Sequence, residues 1–139
     1  MRIVVTGGTG KGGSWVIQEL RGAGHDVRNV DIRHDRSAHG LSVVADLTDL
    51  GQTLDALSGF DAVVHFAAIP APDIRPDGET FRINVLSTYN VFAAAEALTA
   101  DLPGAVLGVN DEVAIGLLTA LRRSGVDVPG RISVAGIDD

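Results

Sequence analysis

Short apolar runs alternate with stretches of helical periodicity along the whole chain. RIVVTG (2–7) is β-branched and closed by glycine, as in a strand buried on both faces of a parallel sheet. From Ser14 to Ala23 the apolar positions Val16, Ile17, Leu20 and Ala23 share one face of a helix. HDVRNVDI (25–32) and LSVVADL (41–47) read as the second and third strands, and LGQTLDALSG (50–59) as a short helix. FDAVVHFAA (60–68) reads as a fourth strand, the most continuously apolar of them. A proline-bearing loop, IPAPDIRPDG (69–78), leads into a long helix from Glu79 to about Leu98, with its core stripe expected at Phe81, Val85, Phe92 and Ala95. GAVLGVN (104–110) reads as a fifth strand. DEVAIGLLTALRRSG (111–125) reads as a helix with Ala114, Leu117, Leu118 and Leu121 inward and Gly125 as its stop. RISVAGIDD (131–139) reads as a sixth strand. Strands alternating with helices imply parallel pairing through right-handed crossovers. Six of them predict a single α/β domain over residues 1–139, a doubly wound parallel six-stranded sheet of order 3-2-1-4-5-6.

The first strand-to-helix turn carries chemistry. Thr6-Gly7-x-x-Gly10-x-x-Gly13 has the spacing of a loop that wraps a pyrophosphate. The first glycine makes the tight turn, the second lets backbone approach phosphate, and the third lets the helix pack on the strand. The helix N-terminus adds free N–H groups and a partial positive charge. Asp31 ends the second strand 24 positions after Gly7, where a carboxylate holds a ribose 2′-hydroxyl and repels a 2′-phosphate. Arg33 and Arg36 soften that preference for NAD over NADP. The pattern makes the fold Rossmann-like, with a dinucleotide as the expected partner.

Composition narrows the classes. A chain of 139 residues, 45% hydrophobic and 21% charged, folds as one domain with no length for a separate substrate domain. Its net charge of −7 opposes nucleic-acid binding. It has no cysteine, so disulfides and thiolate metal sites are excluded. No apolar run reaches the ~18–20 residues of a membrane span, and MRIVVTGG enters a strand without a secretory leader. The expectation is a soluble, cytoplasmic protein with no membrane partner. It should be a monomer or a weak homodimer paired through an exposed edge strand. His25, His34, His39 and His65 lack metal-ligand spacing and read as surface or strand-end residues.

Residues 1–98 resemble the N-terminal half of extended short-chain dehydrogenases, the NAD-dependent epimerase/dehydratase branch. The resemblance rests on VTGGTGKGG, VDIR, ADLTD, VVHFAA and FRINVLSTYNVFAAAEA. It implies cofactor contacts from Gly7, Gly10, Lys11, Gly12 and Gly13 in the loop and from Asp31 and Ile32 at the second strand. It further implies an adenine pocket at Asp46 and Leu47 and backbone contacts from Phe66, Ala67 and Ala68. Asn84 matches the helix asparagine near that family's active site. Blander roles stay open: Asp46 as a strand-end cap, Ala67 and Ala68 as small packing residues, Asn84 as a solvent-facing residue. Gly12 departs from the apolar residue the family often carries there, which predicts a looser phosphate grip.

The family's redox step depends on a Tyr-x-x-x-Lys pair, whose lysine lowers the tyrosine pKa for acid/base work near neutral pH. Here Lys11 is the only lysine; Tyr89, the only tyrosine, is followed four positions on by Ala93. Strand five ends in Val109-Asn110-Asp111, without the family's serine or threonine. Residues from about 99 to 139 instead resemble the effector-binding domain of lactose-repressor-type regulators, of periplasmic-binding-protein fold. That resemblance runs through Val109-Asn110-Asp111-Glu112, Val128-Pro129 and the terminal Ser133-Val134-Ala135-Gly136-Ile137-Asp138-Asp139. It implies effector contacts at Asn110 and Asp138.

Two family patterns meeting near Thr99 predict an engineered chimera, 1–98 from a dehydrogenase and 99–139 from a regulator, with no catalytic function and weak NAD binding. The alternatives are a truncated NAD-dependent epimerase/dehydratase-like oxidoreductase and a small sugar- or effector-binding module.

Overall fold

A computed structural model describes residues 1–34, 41–98, 105–108, 115, 118–119, 121–123, 125–130 and 133–136. The chain divides into two compact units, Met1–Leu98 and Thr99–Asp139.

In the first unit β1 (Arg2–Thr6), β2 (Asp26–Asp31), β3 (Ser42–Val44) and β4 (Ala62–His65) form one parallel sheet of order β3-β2-β1-β4. The helices are α1 (Lys11–Gly22), α2 (Leu50–Leu57) and α3 (Asp77–Leu98). Side chains of β1 alternate between the two faces of the sheet. Ile3 and Val5 pack with Ile17 and Val27 on the α1 face. Val4 packs with Val30, Leu47, Ala56, Leu57, Val91 and Ala94 on the α2/α3 face. Both faces are apolar because helices cover both, which is why β1 reads as a continuous hydrophobic run. The turn into α2 is held by Asp49, whose carboxylate accepts from the Gln52 N–H at 2.9 Å.

The long helix departs from its expected packing. Its buried positions are Ser87, Asn90, Val91 and Ala94, spaced as one helical stripe. Phe81, Val85 and Phe92, expected inside, are exposed. The helix is apolar on several faces, so bulk alone does not identify the inner one. Asn90 can face inward because its amide donates to the Leu47 carbonyl at 2.9 Å, which satisfies a polar group in the core.

In the second unit β5 (Ala105–Gly108) and β6 (Ser133–Gly136) pair in parallel, Ala105 opposite Ser133 and Gly108 opposite Gly136. Of the expected order 3-2-1-4-5-6, the described residues carry the part 3-2-1-4 as the sheet of the first unit and the pair 5-6 in the second, and a continuous six-stranded sheet is not among what they show. Residues 115, 118–119 and 121–123 are helical, and the stop expected at Gly125 is present. There the Gly125 N–H bonds the Arg122 carbonyl and the Val126 N–H bonds the Leu121 carbonyl. Arg36, His39, Asn110, Asp111, Ala114, Leu117 and Asp138 lie outside the described residues. Among those described, no helix is long and apolar enough to cross a membrane.

Candidate functional site

β1 ends at Thr6, and the chain must turn at once. Gly7 does so with φ 69°, its N–H held by the Val30 carbonyl at 2.8 Å. A Cβ at Gly7 would stand 2.7 Å from the Ala67 backbone nitrogen, so the loop lies flat against the segment that follows β4. The Gly10 N–H closes a turn on the Gly7 carbonyl at 3.0 Å. Helix α1 then begins at Lys11, three residues before its apolar periodicity, because glycines leave no mark in a hydropathy pattern. Gly13 is forced by packing: a Cβ there would run into the Gly7 carbonyl. Gly10 is the N-cap and no side chain caps the helix, which leaves first-turn N–H groups at Lys11, Gly12 and Gly13 for an outside acceptor.

Asp31, at the end of β2, is 6% exposed and already engaged. Its Oδ2 accepts from the Thr9 N–H at 3.1 Å and the Thr9 hydroxyl at 2.6 Å. Its Oδ1 accepts from the Arg33 N–H at 3.1 Å, with the Arg33 guanidinium 3.9 Å away. The carboxylate thus latches the glycine loop to the β2 end, and its remaining lone pairs can still accept from hydroxyls. Asp46 caps a turn, its Oδ1 accepting from the Thr48 N–H at 2.9 Å and hydroxyl at 2.8 Å. That was the blander of its two readings, and it leaves Asp46 on the wall of the same cleft.

After β4 the Phe66 N–H is shared between the Thr6 carbonyl and the Thr6 hydroxyl oxygen, at 3.1 and 3.2 Å, and the Ala67 N–H donates to the same hydroxyl oxygen at 3.3 Å. Asn84 is not a solvent-facing residue. Its side-chain oxygen accepts from the Ile69 N–H at 2.8 Å and its amide donates to the Ile69 carbonyl at 3.1 Å, clamping one peptide unit of the loop onto α3.

All twelve residues expected at the cofactor site line one cleft of about 900 Å³: Gly7, Gly10, Lys11, Gly12, Gly13, Asp31, Ile32, Asp46, Leu47, Phe66, Ala67 and Ala68. Sequence reasoning missed Ile69, Ile74 and Arg75 on the same wall, because they come from a loop without periodicity. It also misjudged His65. That residue does end β4, but it is partly buried, hydrogen-bonded through both ring nitrogens, and burial lowers its pKa to about 4. The available signal was a polar residue closing an otherwise apolar strand. Three cations (Lys11, Arg33 and Arg75) share the cleft with the carboxylates of Asp31 and Asp46. Among the described residues no cluster of acids and histidines suits a metal ion.

Residues 3–128 match the NAD dependent epimerase/dehydratase family. L-arabinose 1-dehydrogenase (NAD(P)(+)) of Haloferax volcanii is 39% identical over 113 residues, 81% of this chain and 42% of that protein. Among solved structures, a short-chain dehydrogenase/reductase superfamily protein from Agrobacterium tumefaciens with bound NAD superposes with a TM-score of 0.68 at 30% identity. That match covers 82% of this chain and 34% of the other. A uronate dehydrogenase variant from the same organism, complexed with NAD, has a TM-score of 0.65 at 25% identity, covering 78% and 40%. The chain thus spans about two-fifths of the length of the first of these relatives.

These matches overturn two expectations. The family match crosses Thr99 and continues to residue 128, so a join there between a dehydrogenase and a regulator is not supported, and the reading as a chimera without function is withdrawn. The reading as a non-enzyme falls with it, since the relatives are named dehydrogenases. Counting lysines and tyrosines excludes one acid/base pair from these 139 residues; it does not remove the chain from an enzyme lineage. With the glycine loop, the parallel sheet and a match over residues 3–128 in agreement, the chain belongs to the NAD dependent epimerase/dehydratase family.

Proposed function

We propose that this chain provides the cofactor side of an NAD-dependent oxidoreductase acting on a carbohydrate. The observation that carries the reading is the convergence of all twelve expected residues on one cleft. The residues fit the group. α1 opens on the cleft without a side-chain cap, and its N-cap Gly10 and first-turn Lys11, Gly12 and Gly13 all line it. Diphosphate would lie on the Lys11–Gly13 turn, with the Lys11 ammonium adding charge. Asp31 would accept from the adenosine ribose, Ile32, Asp46 and Leu47 would border adenine, and the Phe66–Ala68 backbone would follow the rest of the dinucleotide. When bound, NAD supplies the hydride acceptor for oxidation of a carbinol. Carbohydrate as the substrate class is supported by the arabinose and uronate dehydrogenases among the relatives.

Calorimetric titration with NAD tests this. One-site binding is expected, with Kd between about 1 μM and 1 mM, and is lost in Gly10→Trp, which fills the loop. Absence of heat from a cooperatively melting wild-type protein would refute the reading. Cofactor choice should turn on Asp31. Replacing it with alanine removes both the ribose acceptor and the repulsion of a 2′-phosphate, leaving Arg33 beside the pocket. The ratio of NADP to NAD dissociation constants is expected to fall about tenfold, the size of one charge-assisted hydrogen bond. An unchanged ratio in parallel titrations would place the ribose elsewhere.

A further inference from the structure

His65 sits outside the cofactor-contacting set, yet it stands behind the wall that this set forms. Its Nδ1 is 2.7 Å from the Thr6 hydroxyl and its Nε2 is 3.3 Å from the Thr88 hydroxyl. The donor at each contact follows from the neighbours. Thr6 Oγ1 accepts from the Ala67 N–H and shares the Phe66 N–H with the Thr6 carbonyl, 3.1 Å from that nitrogen, so both neighbours are donors to it and only His65 Nδ1 is left to accept. Its own hydrogen therefore goes to His65 Nδ1. That makes Nδ1 the acceptor and leaves the ring proton on Nε2, which donates to Thr88. The Thr88 hydroxyl in turn donates to the Asn84 carbonyl at 2.8 Å. The direction is fixed from end to end: Thr6 to His65, His65 to Thr88, Thr88 to Asn84. Asn84 then grips Ile69 through its amide.

This chain ties together the ends of β1 and β4, the helix α3 and the loop after β4. Its two outputs are the amides of Phe66 and Ala67 at one end and Ile69 at the other, and Phe66, Ala67 and Ile69 all line the cleft. The effect reaches the glycine loop as well, because Gly7 leaves no room for a Cβ against the Phe66–Ala67 peptide. If that peptide moves, the phosphate loop must move with it.

We propose that His65 is a positioning residue for the dinucleotide: as the neutral Nε2–H imidazole it orients the Thr6 hydroxyl, which sets the Phe66–Ala67 peptide against both the cofactor and the glycine loop. The proposal rests on the reading of the cleft as an NAD site. Burial of the ring favours the neutral form that the chain requires.

The test combines NAD titration of three proteins with one spectroscopic observation of the wild type. His65→Leu keeps the apolar volume and removes both nitrogens; its Kd for NAD is expected to rise about tenfold or more, the consequence of losing a buried hydrogen bond. His65→Asn returns an acceptor to the Thr6 side and is expected to recover most of that loss. A residue that merely supported the core would lower the melting temperature of both variants and leave Kd unchanged. Nitrogen-15 NMR of the wild-type imidazole should show a protonated Nε2 and a bare Nδ1 at neutral pH. A proton on Nδ1 would overturn the proposal even if His65→Leu fails to fold. Wild-type binding equalled by a folded His65→Leu would also overturn it while leaving the NAD site intact. A wild type that binds no NAD would remove the site and this proposal together.

Discussion

Gly7→Ala is expected to damage both folding and cofactor binding, although it adds a single methyl. Two penalties coincide there. The backbone at φ 69° is the left-handed region, which costs an L-residue about 1–2 kcal/mol. The new Cβ would also stand 2.7 Å from Ala67 N and from the Phe66 carbonyl carbon, backbone atoms that cannot swing aside as a flexible side chain would. Overpacking of this kind costs about 1–3 kcal/mol. Together they come to about 3 kcal/mol, or a fall in melting temperature of roughly 10 °C for a chain of this size. NAD binding should be lost even well below the melting point, since relief requires the loop and the Phe66–Ala67 peptide to separate. Gly12→Ala is the internal control. Its Cβ would meet only the Phe66 ring, at 3.6 Å, an ordinary contact. As a helical position it should gain up to about 1 kcal/mol from the better helix former. Calorimetric melting and NAD titration of the two variants side by side check both signs. Equal melting temperatures would contradict the close approach of the loop to β4.

The same loop marks what can be read from residue order and what cannot. Strand β1, the glycine spacing and Asp31 are local signals, and each lies within a few residues of where pattern and motif put it. Strand β4 is shorter than its apolar run of 60–68, ending at His65. Beyond it the Phe66 N–H is shared between the Thr6 carbonyl and hydroxyl and the Ala67 N–H turns to the hydroxyl, a residue some sixty positions away. Helix α3 was legible as a helix but not as to which way it faces, because Ser87 and Asn90 are buried by virtue of bonds that hydropathy does not encode. The chemistry-bearing residues converge because four parallel strands end on one side of one sheet, and motif spacing anticipates that. The absence of Tyr-x-x-x-Lys was equally legible, and was over-read as absence of function. His65 was missed because its meaning depends on register: it stands opposite Thr6 in the β1–β4 pairing, which no single stretch of sequence displays.

That register has a measurable consequence for stability. Partly buried and bonded to Thr6 of β1 and Thr88 of α3, His65 has a pKa lowered from 6.5 to about 4, with burial as the cause. Its hydrogen-bond partners, Thr6 and Thr88, are uncharged, so neither stabilises an imidazolium. Between pH 6.5 and 4 the unfolded chain therefore holds a proton at this position that the folded chain does not. Stability must then rise with pH across that window. The contribution is fully present above about pH 6.5, declines as pH falls, and is gone below about pH 4. A shift of this size is worth up to about 3 kcal/mol, each pKa unit counting about 1.4 kcal/mol. Protonation also removes the acceptor at Nδ1, so the Thr6 hydroxyl loses its partner in the same step. Carboxylates add their own acid dependence, and the informative quantity is the difference between wild type and His65→Asn. Urea unfolding at intervals from pH 7 to pH 4 should give two curves that converge as pH falls, the variant lacking the histidine proton. Parallel curves would mean that His65 titrates alike in both states and that the ring is more hydrated than its place behind the cleft implies.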